Sequence, residues 1–490
     1  MSVETVLGID IGTSATKAVL ARGDGTIVAE ARRAHSIFWP RPGWAELDAD
    51  SVWWNDVRAV CAELAPLAGD SLAGVCVSGI GPCVVPCDSN LRPLRPAILY
   101  GIDTRASAEV DELTKRFGGG AILERGGSTL SSQALGPKLL WLRRHEEDAW
   151  RAATGWYMAS SFVAARLTGE YALDHHSASQ CDPLYDLDSE GWATDWIDEV
   201  APGIAFPRLL WPSDVVGTVT AEASSATGLP AGTPVICGTI DAWAEALSVG
   251  VRSPGDAMLM YGSTMFFVQV VADAPPHPLL WTTQGVQQGT RTYAAGTATG
   301  GSLTEWIRDL VGQPDWPTLM AEAGEAPPGA RGLLVLPYFA GERTPIYDPL
   351  ARGVVAGLTL RHRRGDLLRA AYEGIGCGIR QIVELLDRPP ARLVAVGGGT
   401  QAHLWLQVVS DVTGIAQELP EQTIGAAYGD ALLAAIGTGL VAAETDWTRI
   451  ARVVEPDDGV RRAYDDVYRR YPTLYAATSQ IVHELQELSA

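Results

Sequence analysis

Apolar residues gather in short runs at the start of the chain, and residues 3–11, 16–21 and 26–33 read as three short strands. Gly12-Thr13-Ser14 and Gly23-Asp24-Gly25 separate them, which predicts an antiparallel meander. A helical spacing follows at about 50–67, where Val52, Val57, Val60 and Leu64 share one face. Next come a β-rich run over 73–78 and a Pro/Arg-rich loop leading to Ala97-Ile98-Leu99-Tyr100. Residues 106–200 read as helices and loops, with turns at Gly118-Gly119-Gly120 and Gly126-Gly127, and are expected to form a specificity lobe inserted on the first domain.

The second half opens in the same way. Residues 234–238 read as a strand ending in Gly-Thr, followed by a helical pattern to Gly250 and strand-like runs at 256–261 and 265–271 joined by Gly262-Ser263-Thr264. Further on lie a strand at 333–336, a helix at about 366–387, a strand at 392–396 and helices near 402–413 and 424–437. The recurrence of strand, Gly-Thr turn and strand implies an ancient duplication rather than a short-period array. The expected fold is α/β, with duplicated mixed-sheet domains and a cleft between them. The Pro/Gly-rich stretch 228–238 sets the expected boundary, giving domains 1–233 and 234–490.

Length agrees with this division, because 490 residues exceed a single domain of roughly 100–200 residues. A 47% apolar and 19% charged composition is that of an ordinary globular chain. Net charge of -21 opposes binding to nucleic acid or anionic lipid, so neither nucleic acid nor membrane is an expected partner. Local binding of a small phosphate ligand stays compatible with that charge, since backbone amides and a metal ion act at short range. The seven scattered cysteines read as buried thiols rather than a disulfide framework, which places the chain in a reducing cytoplasm. Neither a secretion signal nor an 18-residue apolar span is visible.

Four glycine-rich turns carry candidate chemistry. In Gly8-Ile9-Asp10-Ile11-Gly12-Thr13-Ser14-Ala15-Thr16-Lys17, a hairpin of Gly12, Thr13 and Ser14 lets amides and hydroxyls approach a phosphate, while Asp10 can hold hydrated Mg²⁺. A plain β-turn with a solvated Asp explains the same residues equally well. Gly238-Thr239-Ile240-Asp241 delivers a carboxylate to a helix start, where it is either a helix cap or a general base within reach of a substrate hydroxyl. Gly262-Ser263-Thr264 is a second hydroxyl-rich turn between strands. Gly397-Gly398-Gly399-Thr400-Gln401 ends a strand with three glycines, against which a flat adenine or ribose can lie. No P-loop and no strand-G-x-G-x-x-G-helix unit is present. His175-His176 lacks partners at metal-site spacing and is expected to have a surface or loop role, and Trp44 is retained as a weak substrate-side candidate.

The sequence resembles the FGGY carbohydrate kinases from Val6 to about Leu440. Gly353-Val-Val-Ala-Gly357-Leu358 followed by Asp366-Leu-Leu-Arg-Ala370-Ala371-Tyr372-Glu373 matches that family's second signature, and Gly341-Glu342-Arg343-Thr344-Pro345 is another of its hallmarks. Its first signature is met in part: Lys138-Leu139-Leu140-Trp141-Leu142 is present, but Gln133 occupies a position where the pattern has a small or aromatic residue. The resemblance implies a two-lobed actin-like ATPase (ribonuclease H-like) fold, with a sugar-binding N-terminal lobe and a nucleotide-binding C-terminal lobe. It implies ATP and Mg²⁺ as cofactors, and ATP-dependent phosphorylation of a sugar hydroxyl by in-line transfer.

Carried over residue by residue, Asp10, Gly12, Thr13, Ser14 and Lys17 match the first phosphate motif, with Asp10 and Asp241 toward the metal. Gly238, Thr239 and Asp241 match the second phosphate motif and the catalytic base, Gly262, Ser263 and Thr264 a further phosphate-facing turn, and Gly398, Gly399 and Gln401 the adenosine motif. Ile80, Gly81 and Pro82 stand where xylulose kinases of the family carry Gln-Met-His-Gly, and the loop with Asp103 and Arg105 is one residue longer than Trp-Asn-Asp-x-Arg. These five residues are candidates for substrate binding, Asp103 and Arg105 having an internal ion pair as an equal alternative. The expected acceptor is a ketopentose such as xylulose, with ribulose, glycerol, erythritol or gluconate as alternatives. A sugar-independent nucleotide switch is the rival reading. The expected partner is the small-molecule sugar, and a homodimer is carried forward as the assembly.

Overall fold

The computed structural model describes residues 4–487, so Val3, the first residue of the expected opening strand, lies outside the described residues. The chain divides into two compact units. The first comprises 1–252, 272–292 and 424–448, and the second 253–271, 293–423 and 449–490.

In the first unit β1 (Thr5–Ile11), β2 (Ala15–Arg22) and β3 (Ile27–Ala34) form the antiparallel meander, with Asp10 opposite Lys17 across the first hairpin. All seven β1 residues are buried, because the sheet is covered on both faces and a central strand there tolerates an unbroken apolar run. β1 pairs in parallel with β4 (Leu72–Gly79), β4 with β6 (Pro234–Ile236), and β6 in antiparallel with β5 (Val215–Thr218). The sheet order is β5-β6-β4-β1-β2-β3. Thus Pro234–Ile236, assigned by the sequence pattern to the opening of the second half, hydrogen-bonds within the first sheet, and the first unit runs on to Arg252.

A late segment completes this unit. The helix Ala426–Gly437 packs on β1 and β4, where its alanine-rich face meets Val6, Val19, Ala21 and Cys76. The approach is close enough that a Cβ on Gly8 would lie 2.0 Å from the Ala427 carbonyl oxygen. The insertion after β4 is mainly helical, as expected, with helices at Ser107–Phe117, Gly119–Gly126, Leu135–His145 and Ala159–Thr168.

The second unit repeats the plan. β7 (Asp256–Tyr261) and β8 (Met265–Val271) form a hairpin, β7 pairs in parallel with β9 (Arg392–Val396), β9 with β10 (Gln417–Pro420), and β10 in antiparallel with β11 (Ile450–Val454). The sequence β2-β1-β4-β6-β5 therefore reappears as β8-β7-β9-β10-β11 with the same strand directions. The strand plan thus occurs twice, its second copy beginning at Asp256, while Pro234–Ile236 belongs to the first sheet.

Candidate active site

In the first unit, the β1–β2 turn is closed by the Gly12 amide donating to the Ala15 carbonyl at 3.0 Å. His35, the residue after β3, braces it, with Nε2 3.0 Å from the Gly12 carbonyl oxygen and Nδ1 2.8 Å from Asp56 Oδ2. Thr16 also donates to Asp56, and the Thr13 and Tyr100 hydroxyls share a bond at 3.2 Å. The turn is thus held by side chains from three other segments, while Ser14 is exposed.

A second turn leaves β6. Gly238 has φ of +70°, and a Cβ there would meet the Val77 carbonyl oxygen at 2.0 Å, so only glycine fits. Thr239 donates to Asp174 Oδ1 at 2.9 Å, and its carbonyl accepts from the Gly79 amide at 3.3 Å. The helix Asp241–Ser248 then starts with Ile240 as its extended N-cap. Asp241 is therefore the first helical residue and not the cap. One of its oxygens accepts from the Ala242 amide at 2.7 Å, and the residue is half-buried.

Asp10, Asp241 and Glu245 act on one another here. Burial, then Asp241 and Glu245, push the Asp10 carboxyl well above the usual carboxylate range, against the opposing pull of Lys17. Asp241 is raised by burial, offset by the Ala242 amide and Lys17. Glu245 is pushed up to about 7 by burial and by Asp241. Three enclosed carboxyls beside a single exposed lysine make a site short of positive charge. Asp10 Oδ1 moreover lacks any hydrogen-bond partner. This donor set fits a divalent cation. Among the described residues no group of three or more His, Cys, Asp or Glu converges with metal-ligand geometry.

Ile80, Gly81 and Pro82 follow β4, and a Cβ on Gly81 would meet Ile240 Cγ1 at 2.7 Å, so this loop abuts the residue before Asp241. Gln133 ties it down, donating to the Gly81 carbonyl at 3.3 Å and accepting from the Gly101 amide at 3.0 Å. Of the two alternatives held for Asp103 and Arg105, the structure has the internal ion pair. Arg105 pairs with Asp103 at 2.7 Å and with Glu46 at 2.8 Å, and neither Asp103 nor Arg105 has exposed side-chain surface. The guanidinium lies 4.0 Å from the Trp44 ring centre, which makes Trp44 part of this internal cluster. His176 also departs from expectation: it is fully buried.

In the second unit, the β7–β8 turn and the end of β9 meet. The Gly262 amide donates to the Thr264 carbonyl at 3.1 Å. Gly397 has φ of +91°, and its hypothetical Cβ would lie 2.7 Å from the Tyr261 carbonyl oxygen. Gly262, Ser263, Gly398, Gly399 and Gln401 all line one cavity of about 910 Å³, whose wall includes Tyr372 and Trp405 stacked at 5.2 Å. Thr264 is not in its lining. The volume and the flat aromatic wall suit a nucleoside. Sequence reasoning missed His35, Glu245 and the Tyr372–Trp405 wall. Only the burial and pairing of these residues mark them out, and a lone His or Glu carries no such signal in the sequence.

Residues 5–248 match the FGGY family of carbohydrate kinases, N-terminal domain, and residues 257–438 match its C-terminal domain. The xylulose kinase of Staphylococcus xylosus is 26% identical over 485 residues, spanning 96% of this chain and 99% of that protein. The xylulose kinase of Klebsiella pneumoniae is 30% identical over 444 residues, spanning 87% and 89%. The crystal structure of xylulose kinase from Rhodospirillum rubrum superposes with a TM-score of 0.91 at 34% identity, covering 98% of this chain and all of that one. The fold is that of the actin-like ATPases, and the sugar-independent nucleotide switch is not favoured.

Proposed function

The chain belongs to the FGGY family of carbohydrate kinases, and from that premise we propose that its acceptor is a ketopentose such as xylulose, with Asp241 as the general base. FGGY kinases use ATP with Mg²⁺ to phosphorylate a sugar hydroxyl. Xylulose is supported by the relatives in bacteria and by the solved structures of that specificity.

The observation that carries the reading is the raised carboxyl group of Asp241 at the start of its helix, half-buried and set beside Asp10, Glu245 and Lys17. A base must sit within hydrogen-bond reach of its proton and hold a pKa near working pH, and burial moves Asp241 in that direction. Bound ATP–Mg²⁺ would supply the phosphoryl group and the positive charge that the site lacks. Asp10, with its unpartnered oxygen, would hold the hydrated cation together with Asp241. Gly12, Thr13, Ser14, Gly238 and Thr239 would bind phosphate oxygens, and Lys17 would add a positive charge. Gly262, Ser263 and Thr264 would form a further phosphate turn, and Gly398, Gly399 and Gln401 the adenosine seat. Ile80, Gly81 and Pro82 would border the acceptor.

Among the described residues no helix is long and apolar enough to cross a membrane. The acidic charge supports the absence of a nucleic-acid partner, and seven free buried thiols support a cytoplasmic setting. A homodimer is proposed as the assembly, to be tested by light scattering. The function itself is tested by following ADP release with ketopentoses, ketohexoses, polyols and aldonates as acceptors. Turnover that requires xylulose supports the proposal, and turnover confined to another acceptor removes the ketopentose assignment.

A further inference from the structure

A turn at 131–134, closed by the Ala134 amide donating to the Ser131 carbonyl at 3.0 Å, precedes the helix Leu135–His145 and touches two loops of the first unit. Gln133 bonds both loops. Its amide nitrogen donates to the Gly81 carbonyl at 3.3 Å, and its oxygen accepts from the Gly101 amide at 3.0 Å. These partners fix the orientation of the amide, because only its oxygen accepts and only its NH₂ group donates. The Ser132 hydroxyl donates to the Gly101 carbonyl at 2.8 Å, so both backbone groups of Gly101 are held by adjacent residues of one turn. Lys138, in the following helix and 1% exposed, donates to the Ser132 carbonyl and anchors the turn.

Each loop is attached to a different part of the candidate site. Gly81 abuts Ile240, where its hypothetical Cβ would meet Cγ1 at 2.7 Å, and Ile240 immediately precedes Asp241. Gly101 follows Tyr100, whose hydroxyl shares a bond with Thr13 in the first phosphate turn, and precedes the Asp103–Arg105 ion pair. A Cβ on Gly101 would lie 2.5 Å from the Gln133 oxygen, so glycine at this position leaves the amide its place. A connected path therefore runs from Asp241 through Ile240, Gly81, Gln133, Gly101 and Tyr100 to Thr13. Gln133 is the link in it that joins the two loops, and it stands where the chain departs from the first family signature.

We propose that Gln133 is a positioning residue that sets acceptor preference by holding the Gly81 and Gly101 loops at a fixed separation, with Ser132 sharing the hold on Gly101. The amide is a rigid planar group, so its two bonds determine how far apart the loop backbones stand. The gap between them is then matched to one size of polyhydroxylated acceptor, and the hydroxyl to be phosphorylated meets Asp241 in one position. A misplacement of about 1 Å can cost on the order of 10²-fold in rate, which gives two ordinary hydrogen bonds a leverage on turnover beyond their share of stability. Both amide atoms of Gln133 are committed to backbone groups, so it acts on the acceptor through the loops. The inference rests on the assignment of Ile80, Gly81 and Pro82 to the border of the acceptor.

The test uses the full chain with ATP and Mg²⁺ and a panel of ketopentoses, ketohexoses and polyols, comparing kcat and KM for Gln133→Met, Gln133→Glu and Ser132→Ala. Gln133→Met keeps the length and removes both bonds. It is expected to raise KM for the best acceptor at least tenfold and to narrow discrimination against the homologue one carbon longer at least fivefold. Nucleotide affinity, read by titration with a non-hydrolysable ATP analogue, should stay within about twofold. Gln133→Glu keeps the bond from Gly101 and loses the donation to Gly81, so its effect should be intermediate. Ser132→Ala releases the Gly101 carbonyl and should shift acceptor preference in the same direction by a smaller factor. If every folded variant keeps wild-type acceptor preference and KM within twofold, the proposal is overturned. It is overturned equally if Gln133→Met alters preference and Ser132→Ala does not, because that pattern marks direct contact of Gln133 with the acceptor. Should Gln133→Met fail to fold, Gln133→Glu and Ser132→Ala decide by the same criteria. A wild-type chain that phosphorylates no acceptor on the panel would instead overturn the function on which this inference rests.

Discussion

At the scale of single residues, the carboxyls of the first unit set the expected behaviour. Asp241→Ala should leave nucleotide affinity nearly unchanged and lower kcat by roughly 10²–10⁴-fold, the usual contribution of a positioned base. ADP release and calorimetric titration of the nucleotide separate the two effects. Asp10 gives a pH signature. Its folded-state pKa lies above its unfolded value of about 4, so the protonated form favours folding, and the stability it contributes is lost as pH rises through the raised value, about 8. Asp10→Asn should therefore stabilise the nucleotide-free protein at pH 8, by on the order of 1–3 kcal/mol, and change little at pH 4. Denaturant unfolding at the two pH values checks the sign. Asp10 and Asp241 were legible in the sequence because each follows an apolar strand and adjoins a Gly-Thr pair. Glu245 was not, since the burial that raises it comes from packing. Asp103 and Arg105 show the converse: the residue types suit a sugar, and only their enclosure with Glu46 and Trp44 assigns them to the interior.

At the scale of elements, the hairpins were read from the alternation of apolar runs and glycine turns, and strands at 256–261, 265–271 and 392–396 have the bounds expected. Strand identity is a local property of this kind, whereas strand partnership is not. Pro234–Ile236 looks like the start of a repeat, but its hydrogen bonds run to β4, about 160 residues earlier in the chain. Tight contact between elements also depends on residues whose importance no local pattern shows. Gly8→Ala would place a methyl group 2.0 Å from the Ala427 carbonyl oxygen and 2.3 Å from the Ala431 amide nitrogen, where both partners are backbone. The helix Ala426–Gly437 must then move off β1, and a loss of about 3 kcal/mol or more is expected, measured by chemical denaturation.

At the scale of the whole molecule, the chain returns late to finish what it began early. Residues 424–448 belong to the first unit, so a fragment of residues 1–252 lacks the helix that covers Val6, Val19, Ala21 and Cys76. That fragment should bind a hydrophobic dye and aggregate, and a peptide of residues 424–448 added in trans should reduce both effects, as read by fluorescence and size-exclusion chromatography. The sequence by itself determined the duplication, the glycine turns and the family, because these depend on short-range spacing and backbone freedom that neighbouring residues impose. Which segments share a sheet, which carboxyls lose their water and which polar atoms remain unpartnered were decided only by the tertiary structure. Burial is a property of residues brought together from distant parts of the chain, and it is burial that raises the carboxyls of Asp10 and Asp241.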